Sequence, residues 1–191
     1  MTPALRWRII TLQAVLVLVF GFIAGFLYWG SNFATSYVHD QLVAQQIYFP
    51  ASSEIKAGGA LDPAEFPASI RQYAGSQVDT GDKAKEYANN FIGKHLESVV
   101  KDPVTGQVVK DPNGNPMTYA TLGTYINQQK AAGASASTIA TLNSERDTLF
   151  KGEMLRSALL NAWGWSQVGL YAGWAAWGIT AAAVVVKPTT A

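Results

Sequence analysis

Cysteine is absent from all 191 residues. That excludes disulfides, thiolate metal sites, a cysteine nucleophile and lipid attachment through cysteine. Histidine is nearly absent, with only His39 and His95. Charge is scarce as well: 14% of residues are Asp, Glu, Lys or Arg, against about 25% in a typical soluble domain. No basic cluster exists of the kind that nucleic-acid binding requires, so no nucleic-acid partner is expected. Nucleophile-elbow, phosphate-loop, zinc-helix and dinucleotide-binding patterns are all missing. The expectation is therefore a chain that is not an enzyme, with no cofactor, no metal site and no catalytic residue.

What the chain does have is two long uncharged runs. Residues 9–30, "IITLQAVLVLVFGFIAGFLYWG", contain Gln13 as their only strongly polar side chain. Residues 161–186, "NAWGWSQVGLYAGWAAWGITAAAVVV", are uncharged and rich in Gly, Ala and Trp. About 20 apolar helical residues cross a hydrocarbon core of roughly 30 Å, so each run reads as a transmembrane helix. The first is too long for a secretory signal, and "SNFATSY" after it offers no clear cleavage site. A signal anchor is the expected role.

Charge then sets the orientation. Arg6 and Arg8 precede the first run and Lys187 follows the second, whereas 31–160 hold eleven basic and all thirteen acidic residues. Short basic flanks stay on the cytoplasmic side. The expected layout is a cytoplasmic tail 1–8, a span 9–30, an extracytoplasmic domain 31–160, a span 161–186 and a cytoplasmic tail 187–191. Export without cysteine points to a bacterial plasma membrane. Interfacial tryptophans are expected at Trp7 inside and at Trp29, Trp163 and Trp165 outside.

Glycine inside a helix costs about 1 kcal/mol relative to alanine, so Gly21 and Gly25, and Gly169 and Gly173, require a compensating gain. Membrane helices associate where small residues let backbones approach. In the second run Ala162, Ser166, Gly169, Gly173, Ala176 and Thr180 recur every three or four residues, the seam period of paired helices. Levelling Trp29 with Trp163 and Trp165 predicts an antiparallel hairpin in which Gly21 faces Gly173 and Gly25 faces Gly169. The competing reading sends one or both glycine faces to a partner subunit.

Residues 31–160 suit one small domain, and helix signals dominate them. The first span continues toward Pro50, and "ASSEIKAGGA" reads as a linker. An amphipathic helix follows an Asp79 or Thr80 cap, another covers Tyr119 to Ala132, and a third starts at Ser135 or Ser137 and runs toward the second span. "VVKDPVTGQVVKDPNGNP" repeats VKDP and carries the chain's one β-hairpin signal, a Pro103–Gly106 turn between valine arms. Asp111, Asn113 and Asn115 alternate like the start of a calcium loop. Gly114 is misplaced for one and no glutamate closes it, so Asx-turn chemistry suffices.

The fold class expected is an all-α membrane protein: a two-span antiparallel hairpin with a mostly helical extracytoplasmic domain and one short β-hairpin. Neither span holds an acid or base, which argues against a solitary ion or proton pathway. The expected partners are the lipid bilayer and another membrane protein or a second copy. The role that fits is a non-catalytic accessory or structural subunit of a larger membrane complex. The alternative is an extracytoplasmic ligand sensor that relies on a partner for output.

Overall fold

The computed structural model describes residues 2–186, so the expected 187–191 tail and Lys187 lie outside the described residues. The fold is mostly helical and almost without strand. Six α-helical segments follow in order: α1 (Pro3–Gln45), α2 (Ala68–Arg71), α3 (Gly81–Glu86), α4 (Gly93–Leu96), α5 (Tyr119–Ala131) and α6 (Ala136–Val186). A π-helical turn, Tyr87–Ile92, joins α3 to α4. Contacts divide the chain into two compact units, one from Met1–Gln41 with Gly164–Ala191, the other Leu42–Trp163.

α1 has 43 residues and α6 has 51, about 65 and 76 Å at 1.5 Å per residue. Both are long and apolar enough to cross a membrane, and only 6% and 11% of their most apolar windows are buried within the protein. Within the first unit Ala24, Ala34, Val38 and Ala176 are buried, whereas Phe22, Phe26, Trp29, Leu18, Trp174 and Trp177 are exposed. Small side chains thus close the seam and large ones face outward. This reverses the pattern of a water-soluble pair, where bulky apolar residues fill the seam.

The second unit starts helices where local chemistry requires. Thr80 caps α3 by accepting the Lys83 N–H. Thr118 and Thr121 form a reciprocal box at the start of α5, and the Ser135 hydroxyl accepts the Thr138 N–H ahead of α6. Each such cap satisfies a donor that the first helical turn leaves unpaired. The core joins Leu96, Val100, Met117, Leu122, Ile126, Leu142 and Leu149. An aromatic chain from Phe49 through Tyr87, Phe91 and Phe66 to His95 packs at 4.5–5.9 Å between ring centroids. His95 ends this ring series, and its Nδ1 lies 2.9 Å from the Phe91 carbonyl oxygen. A carbonyl can only accept, so Nδ1 carries the proton.

Two segments differ from the sequence reading. The expected linker "ASSEIKAGGA" is a packed turn. Leu61 is fully buried, its N–H bonds to the Glu54 carbonyl, and a β-carbon on Gly59 would meet that same oxygen at 2.2 Å. The expected β-hairpin is reduced to isolated bridges, Lys101 with Val108 and Lys110 with Pro116. Side chains explain the loss. Asp102 captures the N–H groups of Val104 and Thr105, and Asp111 those of Asn113 and Asn115. Gly106 and Gly114 complete the two turns at φ +69° and +81°. Consecutive Asx turns use up the chain that a ladder would need.

Candidate functional site

The helix seam of the first unit is built around Gly169, which is buried. A β-carbon there would lie 3.0 Å from Thr35 Oγ1, 3.2 Å from the Ser31 carbonyl oxygen and 3.3 Å from Ala34 Cβ. One at Gly173 would lie 2.9 Å from Ser31 Oγ. The helices therefore approach at backbone distance where α6 has no side chain, as the small stripe implies. The Thr35 hydroxyl donates to the Ser31 carbonyl and the Thr180 hydroxyl to the Ala176 carbonyl, so these polar groups are satisfied within their own helices.

The partners, however, are not those expected. Gly173 meets Ser31 rather than Gly21, and Gly169 meets Ala34 and Thr35 rather than Gly25. No heavy atom lies within 4 Å of a β-carbon placed on Gly21 or Gly25. Those two glycines instead line an apolar groove of about 470 Å³ with Ala24, Tyr28, Ala176, Trp177, Thr180 and Ala183. Matching residues now sum to about 204 instead of 194, a slip of nearly three helical turns. The expected register assumed that Trp163 and Trp165 stand level with Trp29, and the backbone contacts overrule that assumption.

The tryptophans divide accordingly. Trp7 is 69% exposed, and Trp29 is 60% exposed within a ring series Phe26, Trp29, Phe33, Tyr37 spaced 5.7–5.9 Å. Trp165 is exposed. Trp163 belongs to the second unit, where the Lys85 ammonium sits 4.4 Å above its ring. This cation–π pair is a packing contact within the second unit. Ala162 and Ser166 are half-buried and Ala176 is buried.

The second unit has its own constellation along α6. Arg156 donates through Nε to the Ala88 carbonyl at 3.1 Å, through Nη2 to Asn89 Oδ1, and through Nη1 to both Glu153 oxygens. Ala88 lies in the π-helical turn, and its carbonyl also accepts the Gly93 N–H. Gly93 has no side chain to obstruct the guanidinium, which would lie 3.5 Å from a β-carbon there. One end of this run is Trp163 with Lys85, and the other is Glu145, whose Oε1 accepts the Lys101 N–H. From residue 85 to 101 the chain therefore runs antiparallel to α6. A groove of about 730 Å³ opens beside it, lined among others by Asn89, Glu97, Tyr119, Glu153 and Arg156.

Glu145 Oε2 is buried without a hydrogen-bond partner, and burial pushes its carboxyl pKa up. Among the described residues no group of three His, Asp or Glu side chains is arranged to hold a metal ion. Arg156, Gly152 and Gly93 were not singled out by the sequence reading. Gly152 carried a usable signal: a glycine inside an otherwise strong helix needs a packing reason, the argument already applied to Gly169. Comparison with protein-family models, curated proteins and solved structures finds no match to this chain.

Proposed function

We propose that the chain is a non-catalytic, two-span integral membrane protein that serves as an accessory or structural subunit of a larger membrane assembly. In this reading Leu42–Trp163 folds on the extracytoplasmic side of a bacterial plasma membrane, and the Arg6/Arg8 end stays cytoplasmic by the positive-inside rule. The observation that carries it is the outward display of large apolar side chains by the first unit, from Leu12, Leu18 and Phe22 to Trp174 and Trp177. A contiguous apolar surface of that extent needs lipid or protein against it.

Two helices expose far more apolar surface than they cover, and two-helix contact through small residues leaves most of that surface for other contacts. The role as a subunit follows from this surplus, together with the absence of charged side chains in residues 9–30 and 161–186. The test is alkaline extraction of membranes followed by mild-detergent purification and mass spectrometry. Retention in the membrane with a stoichiometric membrane partner supports the proposal. Release at alkaline pH removes the membrane reading, and a monodisperse single-copy species with no partner removes the subunit reading.

A further inference from the structure

In the two-span reading the depth of α6 follows from its charge pattern. Lys187 comes directly after Val186 in the sequence, and a lysine inside hydrocarbon is costly, so the crossing ends there on the inner side. About 20 residues are needed, which takes the crossing back to Gln167. Ser31 against Gly173 and Thr35 against Gly169 set Leu18 of α1 level with Val186, and Tyr37 level with Gln167. Both stretches are free of charge. The exposed rings of Tyr37 and Trp165 then stand at the outer end, where amphipathic rings collect. Residues 9–17 carry α1 on past Val186 through the inner headgroup layer.

This depth leaves polar groups in the hydrocarbon. Trp177 and Trp174 lie 10 and 13 residues before Lys187, about 15 and 20 Å at helical rise, near the middle of a core about 30 Å thick. On the same register Trp29 is level with Ala175 and Asn32 with Ala172. The three indoles are 60–72% exposed, and Asn32 is exposed. Among the described residues none of these four side chains has a hydrogen-bond partner. An acyl chain offers neither donor nor acceptor, and an unpaired polar group in hydrocarbon is unfavourable.

The same side of α1 holds the glycines that the seam does not use. Gly21, Gly25, Trp29, Asn32 and Ser36 follow at spacings of 4, 4, 3 and 4, so they share one side of the helix. Gly21 and Gly25 meet no heavy atom within 4 Å, and Trp29, Asn32 and Ser36 line one open surface. The groove at the two glycines also reaches Ala176 and Thr180 of α6, so this side of α1 is continuous with the established seam. Small residues that let backbones approach, and polar side chains that bond across, are how helices associate in lipid.

We infer that a transmembrane helix of a different protein packs along this side of α1, closest at Gly21 and Gly25, and hydrogen-bonds Asn32 through an amide or hydroxyl side chain. Lipid cannot satisfy Asn32. A second copy suits the face poorly, because Trp is a donor only and a two-fold contact sets indole N–H against indole N–H. The inference deepens the subunit reading and rests on it.

The test uses the full chain, purified from native membranes in mild detergent. Asn32→Leu removes the amide at similar volume, Asn32→Gln keeps an amide, and Gly25→Leu fills the point of approach. The ratio of partner to chain is expected to fall about threefold or more for Asn32→Leu and Gly25→Leu, and to stay near the parent's for Asn32→Gln. A photoreactive phenylalanine analogue in place of Phe33, itself 59% exposed, should form an adduct with a membrane-spanning segment of that partner. Partner retained at the parent's level by Asn32→Leu, or lost equally from Asn32→Gln, overturns the docking face and leaves the subunit reading standing. An adduct with lipid or with a second copy does the same. Absence of any stoichiometric partner from the parent overturns both. Recovery of each variant in alkaline-extracted membranes, at the parent's level, establishes that it has inserted.

Discussion

Gly152 lies so close to Leu96 that a β-carbon added to it would stand 2.5 Å from Leu96 Cδ2 and 3.0 Å from Cδ1. Leu96 belongs to the buried core cluster. The glycine thus lets α6 settle onto the end of α4. Its helix-propensity cost of about 1 kcal/mol is offset by that packing.

Replacing Gly152 with alanine is expected to destabilise the second unit by about 1–2 kcal/mol, since overpacking outweighs the propensity gain. Gly21→Ala meets no heavy atom within 4 Å and is expected to be neutral or slightly stabilising. Chemical unfolding in detergent, followed by circular dichroism, checks the pair. Equal effects from both would show that local propensity alone governs these sites.

Arg156 joins α6 to the π-helical turn through Nε and Nη2 and is only partly exposed. Arg156→Ala is expected to cost about 2 kcal/mol, in the range for hydrogen bonds to a charged group. Arg156→Lys should restore little, because an ammonium cannot span Ala88 and Asn89 with a planar fork. Hydrogen exchange at Gly93, whose N–H bonds to the same Ala88 carbonyl, should quicken in both variants.

The helix register is open to a direct chemical measurement. An ideal β-carbon on Gly173 lies 3.7 Å from Ser31 Cβ, within the usual range for a disulfide of about 3.5–4.5 Å. The double variant Ser31→Cys/Gly173→Cys should therefore cross-link on mild oxidation. Gly21→Cys/Gly173→Cys, the pair implied by levelling the tryptophans, should stay reduced. Non-reducing mass analysis of an internal proteolytic digest distinguishes them, and the reverse outcome would restore the register read from sequence.

Stability should depend on pH in two opposite ways. Burial raises the Glu145 pKa above its ordinary 4.5, so between the unfolded and folded values the native state holds more protons. Stability then falls as pH rises through that window. Backbone N–H bonds lower the pKa values of Asp62, Asp102 and Asp111 below 3.8. Their contribution is present above the unfolded value and is lost as pH drops through the folded ones. Glu145→Gln, which keeps an acceptor for the Lys101 N–H, should flatten the fall above pH 4.5 and leave the acid limb in place. A series of melting curves from pH 3 to 7 reads both limbs.

Local chemistry made much of the fold legible. Thr80, Thr118 and Ser135 announce helix starts because a hydroxyl reaches a backbone N–H three residues on, and nothing distant is needed. The uncharged lengths of α1 and α6, and the small stripe from Ala162 to Thr180, follow from composition and period in the same way. The Arg156 contacts with Ala88 and Asn89 were invisible. They join residues almost 70 positions apart, and no pattern in either segment names the other.

What the amino-acid order alone determined was which segments are helical, which of them are apolar enough for lipid, and that glycine and alanine share one face of α6. What tertiary structure alone decided was which residues of α1 that face meets. A small-residue stripe repeats every three to four positions, so it can slide by whole turns without losing its pattern, and only the side chains packed across the seam distinguish one stop from the next. Ser31 against Gly173 rather than Gly21 against Gly173 is the result. It brings Trp174 level with Gly30.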